Sequence, residues 1–157
     1  ILHLMIIVGS VGCAAFAVRE AAGRSITATR LFMPPMLAGG TAVILLLMAA
    51  GEPMLLQIWL GALVVGLAIG AYRGSTMVMR VDQVRSKLRM PNGRHAFWIA
   101  FALPLAVALE IAIAIWGEGV SPHRALPSAI AALAAGMLTG RAVAVVIRVP
   151  YAPNEEP

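Results

Sequence analysis

MLLQIWLGALVVGLAIGAY, residues 54–72, decides the fold. The stretch carries no charge, and it matches the about 20 apolar residues that a helix needs to cross the hydrocarbon core of a bilayer. Pro53 stands directly ahead of it and Arg73 directly behind. Proline is tolerated in a first helical turn, where its missing N–H would be unpaired anyway. Working outward, four more apolar runs appear at residues 1–18, 33–50, 97–116 and 126–147. Pro34 and Pro35 open the second run, and Pro127 lies in the first turn of the last. Pro104 falls inside the fourth, where the loss of one backbone hydrogen bond predicts a kink.

The bulk composition agrees with this reading. Of 157 residues, 61% are hydrophobic and only 12% are charged, with a mean hydropathy of +0.89. A soluble domain is about half apolar and about a quarter charged, so neither a soluble domain nor a disordered chain fits. The expected fold is an all-α integral membrane protein, a bundle of about five transmembrane helices forming a single domain over residues 1–148. Residues 1–18 lack a basic n-region and read as a span rather than a signal peptide. Because the sequence opens at Ile1 and not Met, further residues are expected ahead of it. Only Gly51 and Glu52 precede Pro53, so the second and third spans are expected to form a tight antiparallel hairpin. Residues 149–157 read as a frayed polar tail.

Orientation follows from the basic residues. Arg19, Arg24 and Arg30 lie in the first connection; Arg73, Arg80, Arg85, Lys87, Arg89 and Arg94 lie in the third; Arg148 follows the last span. The opposite side has only Arg124. Lys and Arg accumulate in cytoplasmic loops, which places the N-terminus outside and the C-terminus on the cytoplasmic side. The net charge of +5 is accounted for in this way, and nucleic-acid binding is not expected. The long connection, residues 73–95, alternates Thr76, Val78 and Arg80 with Met77, Met79 and Val81, and Lys87 and Arg89 with Leu88 and Met90. This period of two fits a short cytoplasmic β-hairpin turning at residues 82–86; a solvated basic loop is the alternative. In either form Arg80, Arg85, Lys87, Arg89 and Arg94 are candidates for lipid headgroup contacts.

Two ionisable residues lie inside spans. Glu110 sits about six residues, or roughly 9 Å, below the outer end of the fourth span. It continues a stripe of Ala102, Ala106 and Ala114 and is expected to face protein, either as a proton-relay or ligand-binding carboxylate or as a neutral group hydrogen-bonded to a neighbouring helix. Arg141 lies roughly 9 Å from the inner end of the fifth span. Pairing it with Glu110 would need tilt or a long reach, so snorkelling to the cytoplasmic interface is the favoured reading. Small residues also recur every fourth position. Ala62, Gly66, Gly70 and Gly74 do so in and after span three, and Ser128, Ala132, Gly136, Gly140 and Ala144 in span five. Such stripes let helix backbones approach closely, either within the bundle or against a partner.

Cys13 is the lone cysteine, which excludes an intramolecular disulfide and a multi-cysteine metal site. His3 and His123, near the outer surface, are the candidates for haem or pigment ligation. Neither is embedded mid-span, and His95 belongs to the basic flank, so no cofactor and no metal are expected. No hydrolase, P-loop or C-x-x-C motif occurs. Only seven acidic residues exist, most of them in or near loops or the tail, and this argues against an ordinary enzyme.

The order of features resembles the CcdC-like family of small bacterial membrane proteins. The likeness is carried by Arg30-Leu31-Phe32-Met33-Pro34-Pro35-Met36 opening a span, a glycine-rich span ending in Tyr72-Arg73, the hairpin-like segment from Thr76 to Met90, and Gly140-Arg141-Ala142 with Arg148 closing the last span. It covers roughly residues 19–148. The resemblance implies a bacterial inner-membrane protein and transfers no catalytic residues. The expected function is a non-catalytic accessory or assembly subunit of a larger inner-membrane complex, with a respiratory or photosynthetic host. It would contact membrane lipids and dock, or self-associate, through the small-residue faces. The alternative is a small oligomeric proton-coupled transporter using Glu110.

Overall fold

The computed structural model describes residues 1–22, 26–51, 54–78, 80–82, 87–89, 94–116 and 125–151. Helix α1 spans Leu2–Ala21, and strand β1 (Ile26–Thr27) and the short helix α2 (Ala28–Leu31) follow it. Then come α3 (Met33–Met48), α4 (Leu55–Thr76), β2 (Arg80–Asp82), β3 (Lys87–Arg89), α5 (Arg94–Trp116) and α6 (Ala125–Arg148), closed by a 3-10 turn over Val149–Tyr151. Pro34 and Pro35 occupy the first turn of α3, while Pro104 lies inside α5 without ending it.

Three segments are long and apolar enough to cross a membrane: Leu2–Glu20, Leu55–Thr76 and Ala125–Tyr151. Helix α3, with 16 residues, is about 24 Å long, short of the roughly 30 Å hydrocarbon core. Large apolar side chains such as Leu56, Val64, Leu105, Val143 and Ile147 are exposed on the outside of the bundle. That surface suits lipid tails and not water.

Helices α1, α3, α6 and α5 form a ring in which each packs on the next, and α4 lies outside the ring against α6. The centre is filled by Ile6 and Cys13 of α1, Ala38, Ala42 and Leu45 of α3, Leu103 and Ala106 of α5, and Ala131, Ala135 and Leu138 of α6. Alanine dominates, and its small side chain lets four helices converge. The buried hydroxyls of Ser10, Thr41 and Ser128 donate to carbonyls of their own helices, Ile7 at 2.9 Å, Leu37 at 2.8 Å and Ala125 at 2.9 Å. Each is thereby satisfied without a partner from another helix.

The expected tight hairpin of the second and third spans is replaced by a different arrangement. The connection is short and turns through Gly51, whose φ of +119° a side chain rarely tolerates. Beyond it α4 leaves α3, keeping chiefly a hydrogen bond of 3.3 Å from Trp59 Nε1 to the Ala42 carbonyl. The cause is the glycine stripe of α4, which matches that of α6. Gly66 and Gly70 lie against the backbone of Leu133 and Met137, and Gly136 and Gly140 against Leu63 and Leu67. A Cβ at Gly74 would stand 2.8 Å from both the Arg141 carbonyl and the Ala144 methyl. Positions rise together along both helices, so α4 and α6 run parallel. Ala132 is fully buried and Ala62 is half-buried on the same seam. The two stripes therefore cover each other within one chain. Docking of a partner through them is corrected: the surfaces are already occupied.

At the end where α1, α4 and α6 finish, the chain adds a small sheet. Its strand order is β1-β3-β2, all antiparallel, with Arg80 opposite Arg89, Val81 opposite Leu88 and Asp82 opposite Lys87. The third strand, β1 from the first connection, pairs Ile26 with Leu88 and Thr27 with Lys87. Two residues are too few to show a period, which is why this strand is not legible in the sequence. Of the residues expected to turn between β2 and β3, Asp82 belongs to β2, and residues 83–86 lie outside the described residues, as do most of the tail and His123.

Candidate functional site

The polar chemistry of the described bundle concentrates at that same end, on α6. Arg141 and Arg148 are seven residues apart, two helical turns, and so share one face. Arg141 is 3% exposed and Glu20, in the last turn of α1, is 4% exposed. Nη2 of Arg141 is ion-paired with Glu20 Oε1, and Nη1 donates to Oε2 at 3.2 Å. The fork of the guanidinium thus meets both carboxylate oxygens. Its Nε donates to the Met77 sulfur at 3.4 Å, a weak acceptor.

Arg148 acts on the same segment. Its Nη1 donates to the carbonyl of Gly74 at 2.9 Å and to that of Met77 at 2.8 Å. The last carbonyls of a helix have no intrahelical partner, and a cation there also meets the negative end of the helix dipole. Arg148 is therefore the C-terminal cap of α4. Beside this pair Leu31 of α2 packs with Ala142 and Val145, which ties the segment after β1 to α6.

The result is a clamp. Glu20 stands at the root of the segment leading to β1, and Met77 at the root of the segment leading to β2. Two arginines from one helix hold both. A carboxylate and a guanidinium this deeply buried are costly unless paired. The two opposite charges neutralise each other by contact.

Arg141 does turn toward the expected end, but it does not snorkel into solvent, because protein covers it there. The carboxylate it meets is that of Glu20. Glu110 is 9% exposed, on the inward row of Leu103, Ala106 and Val107 of α5. Along the expected stripe Ala106 is buried, whereas Ala114 is exposed, so the stripe leaves the core past Glu110.

Glu20 is the residue that sequence reasoning misses. It reads as a loop residue beside Arg19. A signal exists nonetheless: Ile6, Ser10, Cys13, Ala17 and Glu20 are spaced by alternating four and three residues and are all buried. Continuing the apolar stripe of α1 by one step reaches Glu20. Among the described residues, no three His, Cys, Asp or Glu side chains come together as a metal site. Of the basic candidates in the third connection, Arg80, Lys87 and Arg89 are strand positions and Arg94 opens α5. No protein-family model, curated protein or solved structure matches the chain.

Proposed function

We propose that this chain is a non-catalytic accessory or assembly subunit of a larger complex in a bacterial inner membrane. In this reading α1, α3, α4, α5 and α6 are five spans, with the N-terminus outside and the basic end in the cytoplasm. The observation that carries it is the arginine clamp. Arg141 and Arg148 are directed at holding the roots of an extramembrane sheet, the arrangement of a protein that presents a surface. The parallel packing of α4 and α6 supports the topology, because α5 must then carry the chain back between them. The ten-to-one bias of basic residues supports the orientation. With the glycine stripes buried, the exposed apolar faces of α1, α3, α4, α5 and α6 remain open to contact.

Purification from the native membrane in gentle detergent tests this reading. A particle well above the 16.4 kDa of the chain with its detergent belt, holding other subunits, is the expected result. Haem or pigment absorption in that particle would identify its host. A small particle containing this chain alone would remove the subunit reading.

A second reading, a small oligomeric proton-coupled carrier, rests on Glu110, a buried carboxylate six residues from Pro104. Ionisable residues inside spans and interrupted helices mark transport paths. Loss of pH-dependent flux in Glu110→Gln would favour it, and unchanged flux would remove it.

A further inference from the structure

Between the first half of α1 and α3 the outer surface of the bundle sinks into a groove of about 320 Å³. Leu4 and Val8 stand on the α1 side, and Met36 and Ile44 on the α3 side. Gly40 also lines it, and a Cβ at that position would meet nothing within 4 Å. The missing side chain at Gly40 leaves this space open. The helices cannot close over it by moving together, because they already touch beside it: a Cβ at Gly9 would collide with the Thr41 hydroxyl. Thr41 is the polar member of the lining, and its hydroxyl donates to the Leu37 carbonyl at 2.8 Å. That group is committed to its own helix, so what the groove offers a ligand is apolar contact.

Its dimensions select the occupant. Met36 and Ile44 are eight residues apart, roughly 12 Å along α3. The volume of about 320 Å³ spread over that length gives a cross-section of roughly 27 Å², a trough roughly 6 Å wide. A helix with its side chains is about 10–12 Å across and does not enter. A single extended hydrocarbon chain does. The length also matches most of the roughly 15 Å that one leaflet contributes to the hydrocarbon core. Leu4 and Val8 lie near the start of α1 and Glu20 at its end, so the groove belongs to the leaflet opposite the arginine clamp.

We propose that the α1–α3 groove is a binding site for one acyl chain of a phospholipid in that leaflet. The proposal rests on the bundle lying in a bilayer and is independent of the subunit reading. It differs from general contact with lipid tails, because it assigns one chain to one place, and a single substitution at Gly40 closes that place.

The test uses the purified full chain in nanodiscs, without any partner, so its failure is separable from failure of the subunit reading. The discs contain a phosphatidylcholine whose acyl chain carries a photoreactive diazirine, and adducts are mapped by mass spectrometry after illumination. Leu56 and Leu60 of α4 are exposed apolar residues near the same end of the bundle and serve as the reference. Val8, Met36 and Ile44 are expected to carry about fivefold more adduct than that reference, the mark of a retained chain against passing ones. In Gly40→Leu the new side chain occupies the groove, and the excess is expected to vanish. Val8→Phe closes the groove from α1, is expected to behave alike and serves if the first variant does not fold. Gly61→Leu fills another open glycine position, one that lines no part of the groove, and is expected to keep the excess. Equal labelling of the groove and α4 in the wild type would overturn the proposal in favour of general lipid contact. An excess that persists in both Gly40→Leu and Val8→Phe would also overturn it. Groove residues left unlabelled in discs that hold two copies of the chain would overturn it in favour of a second copy seated there.

Discussion

Arg141 of α6 and Glu20 of α1 are paired inside the protein at 3% and 4% exposure, although 121 residues separate them in the chain. The pair joins two helices that neither follow each other in sequence nor share a glycine seam. It also meets Met77, where α4 ends, so the ends of α1, α4 and α6 are held at one point.

The α4–α6 seam makes the first prediction. At Gly70 a Cβ would enter the backbone of Met137, whereas at Gly61 it would meet nothing within 4 Å. Gly70→Ala should destabilise the protein by about 1–3 kcal/mol, the usual cost of overpacking a close contact. Gly61→Ala should be neutral, or stabilising by up to about 1 kcal/mol through helix propensity. Thermal unfolding of both variants in one detergent reads the contrast. Equal effects at the two positions would mean that the seam does not form.

Arg148→Gln should act locally. It removes charge-assisted bonds to the Gly74 and Met77 carbonyls, each worth about 1.5–3 kcal/mol, while leaving the core of the ring untouched. Hydrogen exchange should accelerate across residues 74–89 and remain unchanged in α1 and α3. Uniform acceleration over the whole chain would show that Arg148 has a global role and does not cap α4.

Glu110 separates packing from transport. If the carboxyl is held as a buried hydrogen-bonded group, Glu110→Gln preserves shape and polarity and should shift stability by less than about 1 kcal/mol. Glu110→Leu should cost more by leaving neighbouring polar groups without a partner. Melting curves of the two variants give the comparison, and a large loss in Glu110→Gln would show that a negative charge is needed there.

The apolar runs were legible because lipid demands long stretches without charge, and the five main helices fall on them. Helix ends moved: α1 continues past Val18 to Ala21, α4 past Tyr72 to Thr76, and α5 starts at Arg94 ahead of Phe97. Charged residues such as Glu20 and Arg73 extend helices beyond their apolar part, and hydropathy does not register that. The small-residue stripes at Gly66, Gly70, Gly136 and Gly140 were visible as close-packing surfaces, but periodicity along one helix does not say which surface faces it. The sheet shows the same limit. Alternation pointed to residues 76–90, yet β1 comes from a distant connection with no pattern of its own. Arg141 announced that it needed an anion; which carboxylate supplied it depended on tertiary contact between the first and last helices.

A double-mutant cycle on Glu20 and Arg141 tests the clamp most directly. Glu20→Met and Arg141→Met are made singly and together, and unfolding is measured in the same detergent. Each single change strands a buried charge and should cost about 3–5 kcal/mol, while the double change should recover most of that loss, because an apolar pair of similar size needs no desolvation. Losses in the single variants that simply add in the double would show that the two side chains do not meet, and would contradict the account.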